Sequence, residues 1–214
     1  MIVAIAGHER ADGAHALAKN LALLRVRSGR KVLLVDTDAK KPLHRWSRER
    51  ALAGVRPAVP AQILDGADQL ESLLPRFNDI VIGVGDQDTP EGRVALIAAS
   101  LVVVPVHAGP VDLAQQYKLI ARLNLARQFN PGLRVLFVLV AKRADPGADE
   151  LAPIRAYAAR VMAARLADTV VCAHDGAAYG DGRCLCDAET CDPDIAAQAH
   201  ALYEEVFAKS TPRN

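Results

Sequence analysis

Residues 7–16 read Gly7-His8-Glu9-Arg10-Ala11-Asp12-Gly13-Ala14-His15-Ala16, between an apolar run at 2–6 (IVAIA) and an alanine- and leucine-rich segment at 17–28. A strand-to-helix junction of this kind can cradle a nucleotide phosphate, and that chemistry dictates its residues. It needs glycines that let backbone N–H groups face the anion, a lysine for the β- and γ-phosphates, and a Ser or Thr hydroxyl for Mg²⁺. Here Gly13 stands near the turn, Ala14 takes the lysine position and His15 the hydroxyl position. The junction keeps the outline of a phosphate loop without its cation or its metal-holding hydroxyl.

Two further places carry groups of the same chemistry. Asp36-Thr37-Asp38 follows the run KVLLV, and Gly83-Val84-Gly85-Asp86-Gln87-Asp88 follows DIVI. In a nucleotide-hydrolysing domain, carboxylates at such strand ends hold the Mg²⁺ shell and position the attacking water. Asp36 and Asp38 read either as solvated strand-end carboxylates or as retained site geometry; a polar loop explains Asp86 and Asp88 equally well. His8 and His15 lie seven apart with no third ligand in register, so no metal site is expected there. Cys184, Cys186 and Cys191, with His174 upstream, fall short of the paired spacing of structural zinc sites, and ordinary surface or half-buried thiols are expected. The basic stretch Lys40-Lys41-Pro42-Leu43-His44-Arg45-Trp46-Ser47-Arg48-Glu49-Arg50 is either a solvated helix face or a contact for a phosphate backbone or partner.

The elements that must position these groups alternate regularly. Apolar, β-branched runs recur at 2–6, 31–35, 79–84, 101–106, 134–140 and 169–172, as strands buried on both faces do. Helical patterns fall at about 14–28, 42–53, 90–99, 110–129, 149–165 and 194–208 between them. Such alternation predicts a doubly wound α/β fold, a mainly parallel sheet with helices on both faces. Thr89-Pro90 offers an N-cap and a first-turn proline, and Ser28-Gly29 closes the first helix. Segment 54–66 holds at most one weak strand, Ala61 to Leu64. On the helix expected at 149–165, Arg155, Arg160 and Arg165 step about 140° each and spread around it. In such sheets ligands sit at the carboxyl ends of strands, which is where all three polar loops fall.

The chain has 214 residues, 51% of them hydrophobic, with a formal net charge of +1. One α/β domain over 1–208 with a polar tail at 209–214 is expected. The charge gives no global pull toward nucleic acid or membrane. The apolar start is too short and too bare of basic residues for a signal peptide, and no apolar run nears the roughly 20 residues that span a bilayer. A cytoplasmic chain with reduced thiols, not membrane-bound, is the expectation.

The chain resembles the ParA/MinD group of deviant Walker-motif ATPases, especially the small ParA-type proteins of plasmids and mobile elements. The family's KGGxGKT loop aligns with Glu9 to His15, and its NLA-rich helix with Leu17-Ala18-Lys19-Asn20-Leu21-Ala22. Its GKRVLLVDxDPQ aligns with Gly29 to Lys40, with Trp46 following. Its third motif, similar to VVIDTGGRDSPELR, aligns with Val81 to Arg93. Val104-Pro105-Val106 with Pro110 and Asp112, and the terminal Ala201 to Phe207, also fit.

The resemblance implies roles that this chain lacks. The dimer-bridging lysine corresponds to Glu9, the P-loop lysine to Ala14, the Mg²⁺-binding Thr to His15, the Walker-B aspartate to Gly83, and a base-reading asparagine to Ala141. Asp36 survives, as does Asp38, which resembles the water-positioning residue. Loss of five groups with different tasks implies a chain no longer selected for hydrolysis. Two unit charges about 4 Å apart interact by roughly 4 kcal/mol at an effective dielectric near 20, close to a thousandfold in affinity. Glu9 and Asp12 would repel a triphosphate, while Arg10, a protonated His15 and the helix N-terminus would recover part of that.

The expectation is therefore a ParA-like pseudo-ATPase linked to plasmid or chromosome partition, with no catalytic residue in use and Asp36 and Asp38 vestigial. Arg10, Gly13, Ala14, His15 and Ala16 form the degenerate nucleotide loop, and no cofactor is expected. Lys40, Lys41, Arg45 and Arg48 are candidates for contact with DNA or a partner. Partners would be a second copy, an active ParA-like relative or a partition protein, with weak non-specific DNA binding. The competing reading is a working ATPase using ATP and Mg²⁺, in which Arg10 and His15 replace the lysine and hydroxyl; a metal or thiol protein on the same scaffold is a third.

Overall fold

The computed structural model describes residues 1–7, 12–85, 88–107, 113–141, 145–172, 180–187 and 193–207, without the side chains of Asp12 and residues 113–116. Of the residues singled out above, His8, Glu9, Arg10, Asp86, Pro110, Asp112, His174 and Cys191 lie outside the described residues.

Seven strands alternate with seven helices: β1 (Ile2–Ala6), α1 (Asp12–Arg27), β2 (Val32–Asp36), α2 (Pro42–Leu52), β3 (Ala61–Ile63), α3 (Ala67–Leu73), β4 (Asp79–Val84), α4 (Pro90–Ala98), β5 (Leu101–His107), α5 (Leu113–Phe129), β6 (Arg134–Ala141), α6 (Ala148–Ala158), β7 (Ala164–Cys172) and α7 (Pro193–Phe207). The strands form one sheet in the order β3-β2-β4-β1-β5-β6-β7, and every pairing is parallel. All loops that follow strands therefore emerge at one edge, and all turns that precede them at the other.

The unbroken apolar runs are explained by two cores. Alternate residues of each central strand, such as Ala4, Ile82, Val104 and Phe137, feed a layer covered by α3, α4, α5 and α6. Their neighbours, such as Val3, Ile5, Val81 and Leu136, feed a layer covered by α1, α2 and α7. Each buried aliphatic or aromatic side chain contributes roughly 1.5–3 kcal/mol relative to exposure. Thr89 caps α4 as its sequence suggests: its hydroxyl accepts from Gly92 N–H at 3.1 Å, with Pro90 in the first turn.

Two expectations are corrected. The helix read at 149–165 ends at Ala158, and the chain turns through a left-handed Ala163 (φ 52°) into β7 at residue 164, not 169. Ala163 C=O accepts from Val135 N–H at 3.0 Å, which draws this segment into the sheet. Arg155, Arg160 and Arg165 accordingly stand on a helix, a turn and a strand. Helix α3 was not foreseen: it has seven residues and buries only Leu70 and Leu73, too few for a visible period.

At the outer strand β7, side chains of α7 take amide groups that no further strand takes. Glu205 accepts from Asp168 N–H (3.2 Å) and from Thr169 N–H (2.7 Å) and hydroxyl (2.6 Å), and Gln198 accepts from Cys172 N–H at 2.8 Å.

Candidate functional site

The neighbouring strands β2, β4 and β1 bring the three expected loops together. Asp36 is in register with Gly83, and Gly83 with Ile5. Thr37 locks two of the loops: its N–H and its hydroxyl both donate to Gly83 C=O at 3.1 Å.

Asp36 is fully buried, which removes the solvated reading. Its two oxygens accept three backbone N–H groups: Oδ1 from Asp38 at 3.1 Å, Oδ2 from Leu43 at 2.8 Å and His44 at 3.0 Å. Two of these are orphan donors of the first turn of α2, where a carboxylate also complements the helix dipole. Pro42 begins that turn, and Lys41 before it is left-handed (φ 54°). Asp36 thus anchors α2 at the end of β2.

Asp38 turns the other way. Its Oδ1 accepts from Lys40 N–H at 2.8 Å, and its Oδ2 lies 3.5 Å from His15 Nε2. His15 sits near the start of α1 and is 8% exposed. The two residues that resemble the metal-binding hydroxyl and the water-positioning carboxylate therefore face each other. Ala14 is buried against Gly7, where an added Cβ would meet Ala14 Cβ at 2.8 Å; only glycine lets α1 approach β1 this closely. Gly13 is half-buried, with His107 Nε2 4.0 Å from where its Cβ would be, and Ala16 is half-buried on α1.

Gly83, which the resemblance aligns with a carboxylate, is closely packed. A Cβ there would collide with Leu43 Cδ1, would lie 3.4 Å from Leu43 Cγ and would lie 3.8 Å from His15 Cδ2. Leu43 is fully buried, so the space beside Gly83 holds an isobutyl group and an imidazole. Leu43 was not among the expected site residues. Its only signal in the sequence is a lone apolar residue after Pro42 inside a basic stretch.

The basic stretch has two faces. Lys40, Lys41, Arg45 and Arg48 are exposed, as expected, with Arg45 Nε 4.0 Å from Glu49 one turn on. Leu43, Trp46 and Arg50 point inward. Trp46 and Arg50 receive segment 180–187 as a strap. Trp46 Nε1–H donates to Arg183 C=O at 3.0 Å. Arg50 makes a bidentate pair with Asp187 (2.8 and 2.9 Å) and donates to the carbonyls of Gly182 (3.0 Å) and Pro57 (2.8 Å). Gly182, at φ +69°, has no room for a Cβ against the Arg50 backbone. On α1, Asn20 accepts from Cys186 N–H at 3.0 Å and Arg27 donates to Cys186 C=O. Burial alone would raise the Asp187 carboxyl, but hydrogen bonds from Arg50 and Cys184 N–H outweigh it and hold it low.

Cys184 and Cys186 are buried in this strap, not at the surface or half-buried. Burial, then the nearby Asp187, pushes the Cys184 thiol up, so it stays protonated and packs as a small apolar group. Among the described residues no three His, Cys, Asp or Glu are placed to hold a metal ion, and no helix is long and apolar enough to cross a membrane.

No protein-family model and no curated protein sequence matches the chain. Solved structures do. The Pyrococcus furiosus cell division ATPase MinD matches at a TM-score of 0.69 and 18% identity, over 98% of this chain and 99% of that one. A plasmid partition protein from Borrelia burgdorferi matches at 0.67 and 13%, over 97% and 98%. The fold is that of the MinD and plasmid-partition ATPases. Cobyrinic acid a,c-diamide synthase from Mycobacterium smegmatis, with bound ADP and magnesium, shares it at 0.64 and 18%, over 99% and 96%. At these identities the likeness is one of fold.

Proposed function

We propose that the chain is a ParA-like protein that works by binding, without a nucleotide-driven switch, in the partition of a plasmid or chromosome. The observation that carries this reading is the filling of the space beside Gly83 by Leu43 and His15. A Mg²⁺ shell needs oxygen donors there; an isobutyl group supplies none, and Asp36 gives both oxygens to backbone N–H groups. These residues do not fit a Mg-nucleotide. The shared fold with a partition protein supports the biological setting. The chain would act in the cytoplasm, as a self-dimer or with an active relative or partition protein, and α2 would offer Lys40, Lys41, Arg45 and Arg48 to a partner or weakly to DNA.

Calorimetry and a phosphate-release assay with MgATP test the proposal. Neither Mg²⁺-dependent binding nor turnover is expected; micromolar, Mg²⁺-dependent ATP binding would return the chain to the working ATPases.

A further inference from the structure

The net charge of +1 conceals a polar division of the molecule. Because every strand is parallel, the turns that precede strands share one edge, opposite the candidate site. Exposed cations crowd that edge: Lys31, Arg56, Arg76, Arg134 and Arg160. None forms an ion pair with a described residue. Asp79, at the start of β4, is buried and already held by Arg25 Nε (2.8 Å), Arg30 Nε (3.0 Å) and the Met1 ammonium (3.3 Å); Glu71 and Glu204, in the last turns of α3 and α7, are exposed carboxylates at the same end. The same edge shows large apolar side chains to solvent: Leu52 (78% exposed), Leu74 (47%), Phe129 (69%) and Met162 (75%).

The opposite edge has the reverse character where α3 and α6 begin. Asp65 and Asp68 stand at the start of α3, and Asp145 and Asp149 at the start of α6, all exposed. Helix dipoles favour acids at N-termini and bases at C-termini and account for part of this division. They do not account for four exposed apolar side chains among the cations. Arginine, Met and Phe with few carboxylates is the composition of a protein interface. Like-charge repulsion prevents two basic edges from meeting.

We propose that the occupant of the basic edge is a second copy of this chain, docked head to tail through the acidic starts of its α3 and α6, away from Lys40 and Lys41 at the start of α2. The contact is heterologous, so association continues beyond the dimer unless its rotation closes a ring.

Sedimentation velocity on the full chain across concentration, at low and high salt, tests this. The wild type should associate in a concentration-dependent way that salt weakens. R76E/R134E/R160E and D65K/D68K/D145K/D149K, each shown folded by circular dichroism, should each be monomeric alone. Mixed one to one, they should associate again, because the unchanged edges of the two variants are complementary and so are the two reversed ones. A wild type that stays monomeric, variants that still self-associate, or a mixture that fails to pair would overturn the proposal. So would a monomer whose basic edge instead binds a DNA duplex or vesicles containing phosphatidylserine, with loss in the arginine variant.

Discussion

The imidazole of His15, near the start of α1, stands 3.5 Å from the carboxylate of Asp38 in the loop after β2. Asp38 Oδ1 accepts from Lys40 N–H while Oδ2 faces the imidazole. A double-mutant cycle on H15A and D38A should return a coupling of about 0.5–1 kcal/mol, read from chemical denaturation. Strict additivity of the two substitutions would show that the pair carries no energy.

A carboxylate at position 83 should harm the protein. G83D places its Cβ into Leu43, and overpacking of this kind costs about 1–3 kcal/mol. The single variant should melt lower, and G83D/L43A should lose less than the sum of the two single variants. If G83D melts with the wild type, Leu43 is not the obstacle described.

The strap makes Arg50–Asp187 a costly charged pair to break. Removing one partner of a buried, hydrogen-bonded pair leaves an uncompensated charge and costs about 3–5 kcal/mol. D187N should show this loss in denaturant titrations. Trp46 is the single tryptophan and donates to the strap, so emission from the folded variant should shift to the red. An unshifted spectrum would mean the strap stays docked without its carboxylate.

Acid should act through Asp79 and Asp187. At Asp79 burial alone would raise the carboxyl, but hydrogen bonds from Arg25 and Arg30 outweigh it and hold it below its ordinary value; Asp187 is held low likewise. A carboxyl depressed on folding binds fewer protons folded than unfolded. Its stabilisation is complete above the unfolded-chain value of about 4 and fades as pH falls through that value toward the folded one. Melting temperature should be flat from neutral pH to about 5 and then fall, with a shallower fall in D79N. An equally steep fall in D79N would assign acid sensitivity elsewhere.

The sheet was legible because β-branched runs such as KVLLV and DIVI must be buried on both faces. β7 was half legible: its Thr169-Val170-Val171 end has strand character, while Ala164 to Asp168 has helix propensity and becomes strand by pairing with β6. The three loops of the candidate site could be placed from strand ends alone. Leu43 beside Gly83, and Asp36 given over to the first turn of α2, could not, because both depend on how α2 leans on β4. The strap was the least visible, since Arg50 and Asp187 are 137 residues apart.

Open sheets carry a hazard at their outermost strand, whose spare amide hydrogens can recruit a strand from another chain. Here Glu205 and Gln198 occupy three such positions on β7. Strand addition at β7 is thereby opposed, because two side chains of a single helix stand where a strand from a neighbouring molecule would pair.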